Sequence, residues 1–297
     1  MNSMYYGSIE AGGTKFVCAV GNEKGEIKDS IQIKTETPEI TMPQVIDFFK
    51  NYDLMAIGIG SFGPIDINVD SPTYGFITST PKLPWRNYPF MKAIKDEFDI
   101  PVGFNTDVNA AALGEATLGA AKGLDSCLYI TVGTGVGAGA VVQGQLLSGL
   151  SHPEMGHILI PRHPDDAYSG KCPYHQDCLE GLAAGPAIEA RWGKKGIELA
   201  DKKEVWELEA HYIAEALMQY MLILSPKRIV LGGGVMKQKQ LFPLIHKKVQ
   251  TLLNGYLNIP EVTENIEQYI VPPGLGDHAG ITGGLILAKE AYETVRL

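Results

Sequence analysis

Residues 127–143, CLYITVGTGVGAGAVVQ, contain a strand-like run at Cys127–Val132, a glycine bend at 133–137 and a second run at 138–143. Residues 5–21, YYGSIEAGGTKFVCAVG, show the same order of apolar run, glycine turn and apolar run. Apolar, β-branched runs on both sides of a short glycine turn are typical of β-hairpins. Because each half of the chain contains one, the sequence predicts an internal duplication in an α/β protein.

Further strands and helices are expected around these two hairpins. Strand-like segments occupy residues 5–10, 16–21, 30–34, 54–60 and 228–231. Helices are expected from a cap at Thr41 to about residue 51, over 109–121 and over 205–224. We therefore expect two domains, 1–108 and 109–297, with a ligand cleft between them and with residues from about 280 to 297 rejoining the first domain.

The composition is that of an ordinary globular protein. The 297-residue chain is 45% hydrophobic, which suffices for a large core. It has 25 basic and 34 acidic residues, a net charge of −9 and no long basic run, so nucleic-acid binding is not expected. No apolar stretch approaches the roughly 20 residues that span a bilayer, and residues 1–9 lack the pattern of a signal peptide. We expect a cytoplasmic protein without membrane contact.

Three glycine turns, which begin at Gly12, Gly133 and Gly232, are candidates for phosphate binding. Glycine lets phosphate oxygens approach exposed backbone N–H groups closely. A single turn of this kind is more often only a hairpin, but three of them in a duplicated α/β pattern favour a nucleotide site. None has the P-loop spacing, and residues 133–137 do not open a helix, which disfavours P-loop and Rossmann proteins.

Two of the four cysteines belong to a candidate metal site. Cys172, His175 and Cys178 follow one another at two-residue gaps, and His157 lies upstream as a fourth ligand. Four Cys or His ligands that leave no open position are typical of structural zinc. A redox-active pair or two unrelated surface thiols are the alternatives, although disulfides are rare in the cytoplasm. The other two cysteines lie in apolar runs and are expected to be core thiols.

Six motifs resemble the ROK family of sugar kinases. They are Glu10-Ala-Gly-Gly-Thr-Lys15, Asn109-Ala-Ala-Ala-Leu-Gly-Glu115, Gly133-Thr-Gly-Val-Gly137, Glu154-Met-Gly-His157, the cluster from Cys172 to Glu180, and Leu231-Gly-Gly-Gly234. The resemblance covers nearly the whole chain. It implies the duplicated actin-like, ribonuclease-H-like α/β fold of two domains and an ATP-dependent sugar kinase. The family's fold agrees with the repeated hairpins.

The resemblance also assigns ligands to residues. ATP phosphates are expected at Gly12, Gly13, Thr14, Lys15, Thr134 and Gly135, and the nucleoside at Gly233 and Gly234. The sugar is expected at Gly63, Pro64, Thr106, Asp107, Glu154, His157 and Glu180. Zinc on His157, Cys172, His175 and Cys178, in a module at about 152–180, is expected to hold the sugar-binding loop in shape. The family's usual cluster is Cys-x-Cys-x-x-x-x-Cys, and His175 stands in for its second cysteine.

Asp107 is the expected catalytic residue, because the family's matching aspartate activates the sugar hydroxyl. A carboxylate at the attacking hydroxyl orients it and accepts its proton. Without the resemblance, an aspartate ahead of an Asn-Ala-rich helix is more often only an N-cap. ATP chemistry also implies Mg²⁺, which bridges phosphate oxygens and neutralises developing charge.

The sugar is expected to be fructose. Thr106 stands where many ROK glucokinases have Asn, Glu10 stands where most relatives have Asp, and the segment Thr78-Ser-Thr-Pro-Lys82 follows Gly63-Pro64. These variants look like the bacterial fructokinase branch, while glucose, mannose or an N-acetyl amino sugar are the alternatives. A sugar-responsive repressor is the non-enzyme alternative. Family repressors have a helix-turn-helix ahead of the first glycine turn, whereas here nine residues precede Glu10 and no such domain is expected. The family also leads us to expect a homodimer.

Overall fold

The computed structural model describes residues 5–296, and its first sheet comes from the N-terminal third of the chain. Its strands are β1 (Tyr6–Ala11), β2 (Lys15–Gly21), β3 (Ile27–Lys34), β4 (Ile57–Ser61) and β5 (Val102–Thr106). The strand order is β3-β2-β1-β4-β5. The first three strands form an antiparallel meander, and β4 and β5 add to β1 in parallel.

The second sheet repeats this topology. Its strands are β6 (Cys127–Val132), β7 (Val136–Val142), β8 (Gln145–Leu146), β9 (Ile229–Gly232) and β10 (Ile270–Val271). Their order is β10-β9-β6-β7-β8, again an antiparallel meander with two parallel strands added to its first strand. The predicted duplication is confirmed, because each half places its glycine hairpin at the same point of an equivalent sheet.

Ten α-helices and short 3₁₀ turns connect the strands in residues 5–296. The helices are α1 (Pro38–Phe49), α2 (Phe90–Lys95), α3 (Asp107–Thr117), α4 (Leu179–Ala183), α5 (Gly185–Trp192), α6 (Lys203–Leu224), α7 (Leu241–Leu253), α8 (Pro260–Thr263), α9 (Ile266–Tyr269) and α10 (Ala279–Arg296). The 3₁₀ turns are Leu83–Trp85, Met155–His157, Gly196–Leu199, Val235–Lys237 and Gly276–His278. Within the described residues, no helix combines the length and the apolar content that crossing a bilayer requires.

The start of α1 differs from the prediction. Thr37, not Thr41, is the N-cap residue, and Pro38 takes the first helical position. Proline suits that position because its fixed φ is helical and the N–H that it lacks would have no partner there. The Thr41 hydroxyl instead accepts a hydrogen bond from the Glu36 N–H at 3.0 Å.

The C-terminal helix α10 packs against β1, β4 and β5 as well as against α3. Glycines allow the close approach: a Cβ at Gly58 would lie 1.9 Å from the Gly284 carbonyl oxygen, and one at Gly283 would lie 1.6 Å from that of Ala110. Both helices are thereby held against the first sheet, which fixes the N-terminus of α3. We propose that the expected division after residue 108 holds, with α10 counted with the first domain.

Candidate active site

The carboxyl ends of β1, β4 and β5 meet at one edge of the first sheet, because the three strands are parallel neighbours. Their last residues, Ala11, Ser61 and Thr106, lie in register. Phe62 follows β4 and donates its N–H to the Ala11 carbonyl at 2.8 Å. Asp107 follows β5. Ligands of open α/β sheets bind outside the carboxyl ends of the strands, so a ligand site is expected at this edge.

A cleft of about 760 Å³ lies beside this edge and is lined by both sheets. Glu10 and Lys15 line it from the first sheet, Thr131 and Gly233 from the second, and Asp277 from the turn that precedes α10. Its volume is within the usual range of about 300–1,000 Å³ for cofactor and ligand sites. The predicted cleft between two α/β halves is thus confirmed.

Asp107 is the first residue of α3, and its Oδ1 accepts the Val108 N–H at 2.9 Å. The N-cap is Thr106, whose buried hydroxyl accepts the Asn109 N–H at 3.1 Å. Asp107 is therefore not the N-cap of α3, and the alternative that it serves only as a helix cap is wrong. Burial raises the pKa of Asp107 to about 6, and the nearby Glu154 carboxylate acts in the same direction.

Glu10, at the end of β1, forms a second carboxylate beside Asp107. Burial, followed by the charge of Asp107, raises the pKa of Glu10 to about 7, while Lys15 acts in the opposite direction. The Lys15 ammonium donates to the Gln32 side-chain oxygen at 3.2 Å. Glu10 supplies a hard oxygen donor beside the first glycine turn, and oxygen donors of this type are what Mg²⁺ prefers.

The first and second glycine turns are each closed by a backbone hydrogen bond between residues close in sequence. The Gly12 N–H donates to the Lys15 carbonyl at 3.0 Å, and the Gly133 N–H donates to the Gly135 carbonyl at 2.8 Å. The exposed residues at their tips are those predicted to face phosphates: Gly13, Thr14 and Thr134. Both tips leave backbone accessible to a polyanion, as phosphate binding requires.

The third glycine turn lies beside the second. Gly233 has φ +93°, and a Cβ there would lie 2.4 Å from the Val132 carbonyl oxygen, so only glycine fits. A Cβ at Gly133 would lie 3.7 Å from the Gly234 nitrogen. The predicted phosphate turn of the second half and the predicted nucleoside turn are therefore neighbours.

A buried histidine that the sequence analysis missed joins the loop after β4 to the Glu154 segment. His152 Nε2 accepts the Ile65 N–H at 3.0 Å, and its Nδ1 lies 3.5 Å from Glu154 Oε1. Because Nε2 accepts, the neutral ring has its proton on Nδ1, facing Glu154. Burial lowers the pKa of His152, which favours this neutral form. In the sequence, only the position of His152 two residues before Glu154 could have indicated that the two side chains interact.

The same contact brings the predicted sugar residues together. Gly63 and Pro64, joined by a cis peptide bond, precede Ile65 in that loop. A Cβ at Gly63 would lie 3.4 Å from Glu154 Oε1, so the loop and this carboxylate face each other. Burial raises the pKa of Glu154.

Glu180, predicted to line the sugar pocket, also contacts the second glycine turn. Its Oε2 accepts the Val136 N–H at 3.0 Å. A Cβ at Gly135 would lie 2.7 Å from the same oxygen. The sequence did not indicate this contact, since the two partners are 44 positions apart.

The four predicted zinc ligands converge: the donor atoms of His157, Cys172, His175 and Cys178 all lie within 4.8 Å of one another. His157 Nδ1 is 3.7 Å from Cys172 Sγ and 3.6 Å from Cys178 Sγ, and His175 Nδ1 is 3.8 Å from Cys172 Sγ. Tetrahedral zinc, with bonds of about 2.3 Å to sulfur and 2.0–2.1 Å to nitrogen, places such donors roughly 3.6 Å apart. The donor set and its spacing fit that ion. His157 turns Nδ1 to the cluster, which leaves Nε2 for another partner.

Glu115 is a second residue whose function the sequence left open. Its fully buried carboxylate accepts the backbone N–H groups of Ala120, Gly274 and Leu275 at 2.6–2.9 Å. These bonds fix the loop before α10, and Pro273 of that loop lines the cleft. Glu115 is therefore a support of the cleft wall and does not face the cleft itself.

Comparison with known proteins identifies related chains over the full length. The sequence profile described as the ROK family matches residues 6–291. A protein of Bacillus subtilis, provisionally named a fructokinase, is 63% identical over 97% of this chain and 96% of its own length. The fructokinase of Pediococcus pentosaceus is 48% identical over 98% of this chain and 99% of its own length.

A solved structure gives the same result for the fold. The ROK family glucokinase of Streptomyces griseus, determined in complex with glucose and AMPPNP, is 26% identical. It superimposes with a TM-score of 0.75 over 97% of this chain and 100% of its own. Together with the repeated topology, this similarity confirms the predicted actin-like fold of two domains.

Proposed function

The chain belongs to the ROK family, and on that premise we propose that it transfers the γ-phosphoryl group of ATP to the 6-hydroxyl of D-fructose. The observation that carries the proposal is the position of Asp107, a carboxylate with a raised pKa at the carboxyl edge of the first sheet, where the first glycine turn also lies. Identity of 48% to a fructokinase over nearly the whole chain supports this choice of sugar. The protein is accordingly a hexose kinase.

In the proposed mechanism Asp107 acts as general base. Its carboxylate accepts the proton of the fructose 6-hydroxyl while that oxygen bonds to the γ-phosphorus of ATP. The bond from phosphorus to the bridging oxygen breaks, and ADP leaves. A general base of this kind contributes about 10²–10⁴ in rate. The raised pKa helps, because a base near neutrality takes up the proton more readily than an ordinary aspartate does.

Backbone groups and side chains of the two glycine turns bind the phosphates in this proposal. The exposed N–H groups near Gly13 and Thr134 donate to phosphate oxygens, and the adjacent turn at Gly233 receives the nucleoside. Glu10 is the residue that would hold Mg²⁺, directly or through water. When bound, Mg²⁺ supplies positive charge to the β- and γ-phosphate oxygens.

The sugar hydroxyls are proposed to bind to the residues that the family resemblance assigns to the sugar: Glu154, Glu180, His157, Thr106 and the loop at Gly63 and Pro64. Carboxylate and imidazole groups form the directional hydrogen bonds that distinguish one hexose from another. The Thr106 hydroxyl is buried and already uses one of its two lone pairs to accept the Asn109 N–H at the helix cap. We infer that Thr106 contributes less to sugar selectivity than the carboxylates.

A coupled assay of ADP release tests the proposal. Purified protein is supplied with ATP, Mg²⁺ and fructose, glucose, mannose or N-acetylmannosamine in parallel, and kcat/KM is compared. We expect fructose to exceed each of the others by at least 10-fold. A higher kcat/KM for another hexose would reassign the substrate, and no turnover of any hexose would refute kinase activity.

Zinc is the second part of the proposal. The spacing of the four donor atoms around His157 supports a closed tetrahedral site of structural type. Because His157 and Glu154 belong to one short segment, the ion would stabilise the loop that carries the sugar ligands. Elemental analysis of the purified protein is expected to give about one zinc per chain.

We also propose a homodimer, on the basis of family membership. Light scattering coupled to size-exclusion chromatography gives the molar mass in solution. The 32.2 kDa chain is expected to elute at twice its mass, whereas a mass of one chain would contradict the proposal.

A further inference from the structure

A lysine outside the predicted phosphate site reaches the first glycine turn. Lys82 Cε would lie 3.1 Å, and its ammonium nitrogen 3.7 Å, from a Cβ at Gly13. Lys82 belongs to the loop before the 3₁₀ turn Leu83–Trp85, far from the glycine motif in sequence. The tip of the turn is thus in contact with a cation that no phosphate motif predicts.

The loop holds Lys82 in place by several contacts. Its N–H donates to the Thr80 hydroxyl at 3.3 Å, and its carbonyl accepts the Trp85 N–H at 2.9 Å. Trp85 is buried in the first core and donates its indole N–H to the Glu36 carbonyl at 2.7 Å. The Lys82 ammonium lies 5.8 Å from the centre of the Phe62 ring, beside the end of β4. The backbone of Lys82 is therefore held by a packed loop, and its ammonium lies between Phe62 and Gly13.

Within residues 5–296, the Lys82 ammonium forms no ion pair with a carboxylate. Lys15, the lysine of the glycine motif, instead donates to Gln32 on the meander. The carboxylates of Glu10 and Asp107 lie on the same side of the sheet, so a phosphoryl group arriving there needs compensating positive charge.

We propose that Lys82 is a catalytic residue that binds the transferred phosphoryl group of the kinase reaction. Its ammonium donates hydrogen bonds to the γ-phosphoryl oxygens as the group leaves ADP and bonds to the sugar oxygen, and no proton passes to or from Lys82. Phosphoryl transfer depends on positioning and charge stabilisation, and a cation that contacts the moving group has its largest effect in the transition state. The inference rests on the proposed hexose kinase activity and adds to it the residue that compensates the phosphoryl charge.

The test compares Lys82→Met with Lys92→Met in the full chain. Lys92 forms an exposed ion pair with Asp96 on α2, away from the cleft, and serves as the matched control. At saturating fructose and MgATP, kcat of Lys82→Met is expected to fall by about 10²–10³-fold, with fructose KM and the affinity for AMPPNP within threefold of wild type. Lys92→Met is expected to equal wild type. Circular dichroism and thermal melting establish that each variant is folded. If Lys82→Met does not fold, Lys82→Gln is used in its place.

Chemical rescue provides a second measurement. Ethylammonium added to Lys82→Ala is expected to raise kcat at least fivefold, while wild type and Lys92→Met do not respond. The proposal is overturned if kcat of Lys82→Met stays within threefold of wild type, or if only the KM for ATP changes, which would indicate ground-state binding. A wild-type protein inactive on every hexose would instead refute the proposed function.

Discussion

Val136 donates its backbone N–H to Glu180 Oε2 at 3.0 Å, a contact that joins the second glycine turn to the helix that follows the cluster of Cys172, His175 and Cys178. Val136 opens β7, and Glu180 is two residues beyond Cys178. A residue proposed to bind the sugar therefore touches the turn proposed to bind ATP. Movement of Glu180 is therefore expected to affect ATP binding, and movement of the second glycine turn is expected to affect sugar binding.

Gly135→Ala tests this coupling. The new methyl group would lie 2.7 Å from Glu180 Oε2, the end of a flexible side chain, so we expect the carboxylate to move and to lose its bond to Val136. Losing a hydrogen bond to a charged group costs about 1.5–3 kcal/mol. We expect fructose KM to rise by about 10-fold or more, measured by steady-state kinetics, with little change in melting temperature. Gly149→Ala, where a Cβ meets nothing within 4 Å, is the control. Unchanged fructose KM in Gly135→Ala would refute the coupling.

Asp107→Asn tests the general base. Asparagine keeps an oxygen for the Val108 N–H but cannot accept a proton from the sugar, so the fold should persist while kcat falls by about 10²–10⁴. AMPPNP affinity, measured by calorimetry, is expected to stay within threefold of wild type. Asp96→Asn, an exposed carboxylate just after α2, is the matched control. If Asp107→Asn keeps more than a tenth of wild-type kcat, another group must accept the proton.

The pH profile of kcat/KM for fructose follows from the two raised carboxyl pKa values. Asp107, with a pKa of about 6, must be ionised to accept a proton, and Glu10, with a pKa of about 7, must be ionised to bind a cation. Activity is therefore expected to be full only above about pH 8, one unit above the higher pKa, and to fall as pH decreases through 7 to 6. Because the two groups interact, the apparent values belong to the pair. A profile flat down to pH 5 contradicts this assignment.

Removal of the proposed zinc is expected to weaken fructose binding more than ATP binding. Cys178→Ser, or treatment with a chelator, leaves His157 without its metal and loosens the segment that contains Glu154. We expect zinc content near zero, a lower melting temperature and a fructose KM at least 10-fold higher, in line with losses of 10–100-fold on disturbing metal sites. Cys18→Ala, a buried thiol of β2, should retain zinc. Wild-type protein purified without zinc and fully active would rule the site out.

His152 is expected to orient Glu154 and the loop at Ile65. His152→Leu leaves the Ile65 N–H without its acceptor and Glu154 without its imidazole neighbour, so fructose KM should rise by about 10-fold while kcat falls less. His152→Gln, which offers an oxygen and an N–H in their place, should recover part of the loss. A merely structural role predicts a lower melting temperature with unchanged KM, and that result would exclude the positioning role.

Local sequence determined the elements that build the site. Alternation of apolar runs and glycine turns predicted both hairpins, and β6 has the predicted bounds because a strand between two turn signals leaves little freedom at its ends. The start of α1 was misplaced, since Thr37 and Thr41 are both good caps and only packing decided between them. The four residues predicted to bind zinc do converge in the structure, because spacing along one loop restricts where their donor atoms can lie, while zinc binding itself stays a prediction.

Contacts between distant segments were decided only by the tertiary structure. The sequence around Lys82 does not distinguish it from other lysines. The Lys82 ammonium lies beside Gly13 only because Trp85, in the same loop, packs into the core. His152 and Ile65, 87 positions apart, and Glu115 with Leu275, 160 apart, likewise meet because the sheets and α10 pack as they do. The glycine turns of residues 5–21 and 127–143 thus fixed where ligands can approach the backbone. Which side chains surround those ligands depends on long-range packing, whose free energy no short stretch of sequence contains.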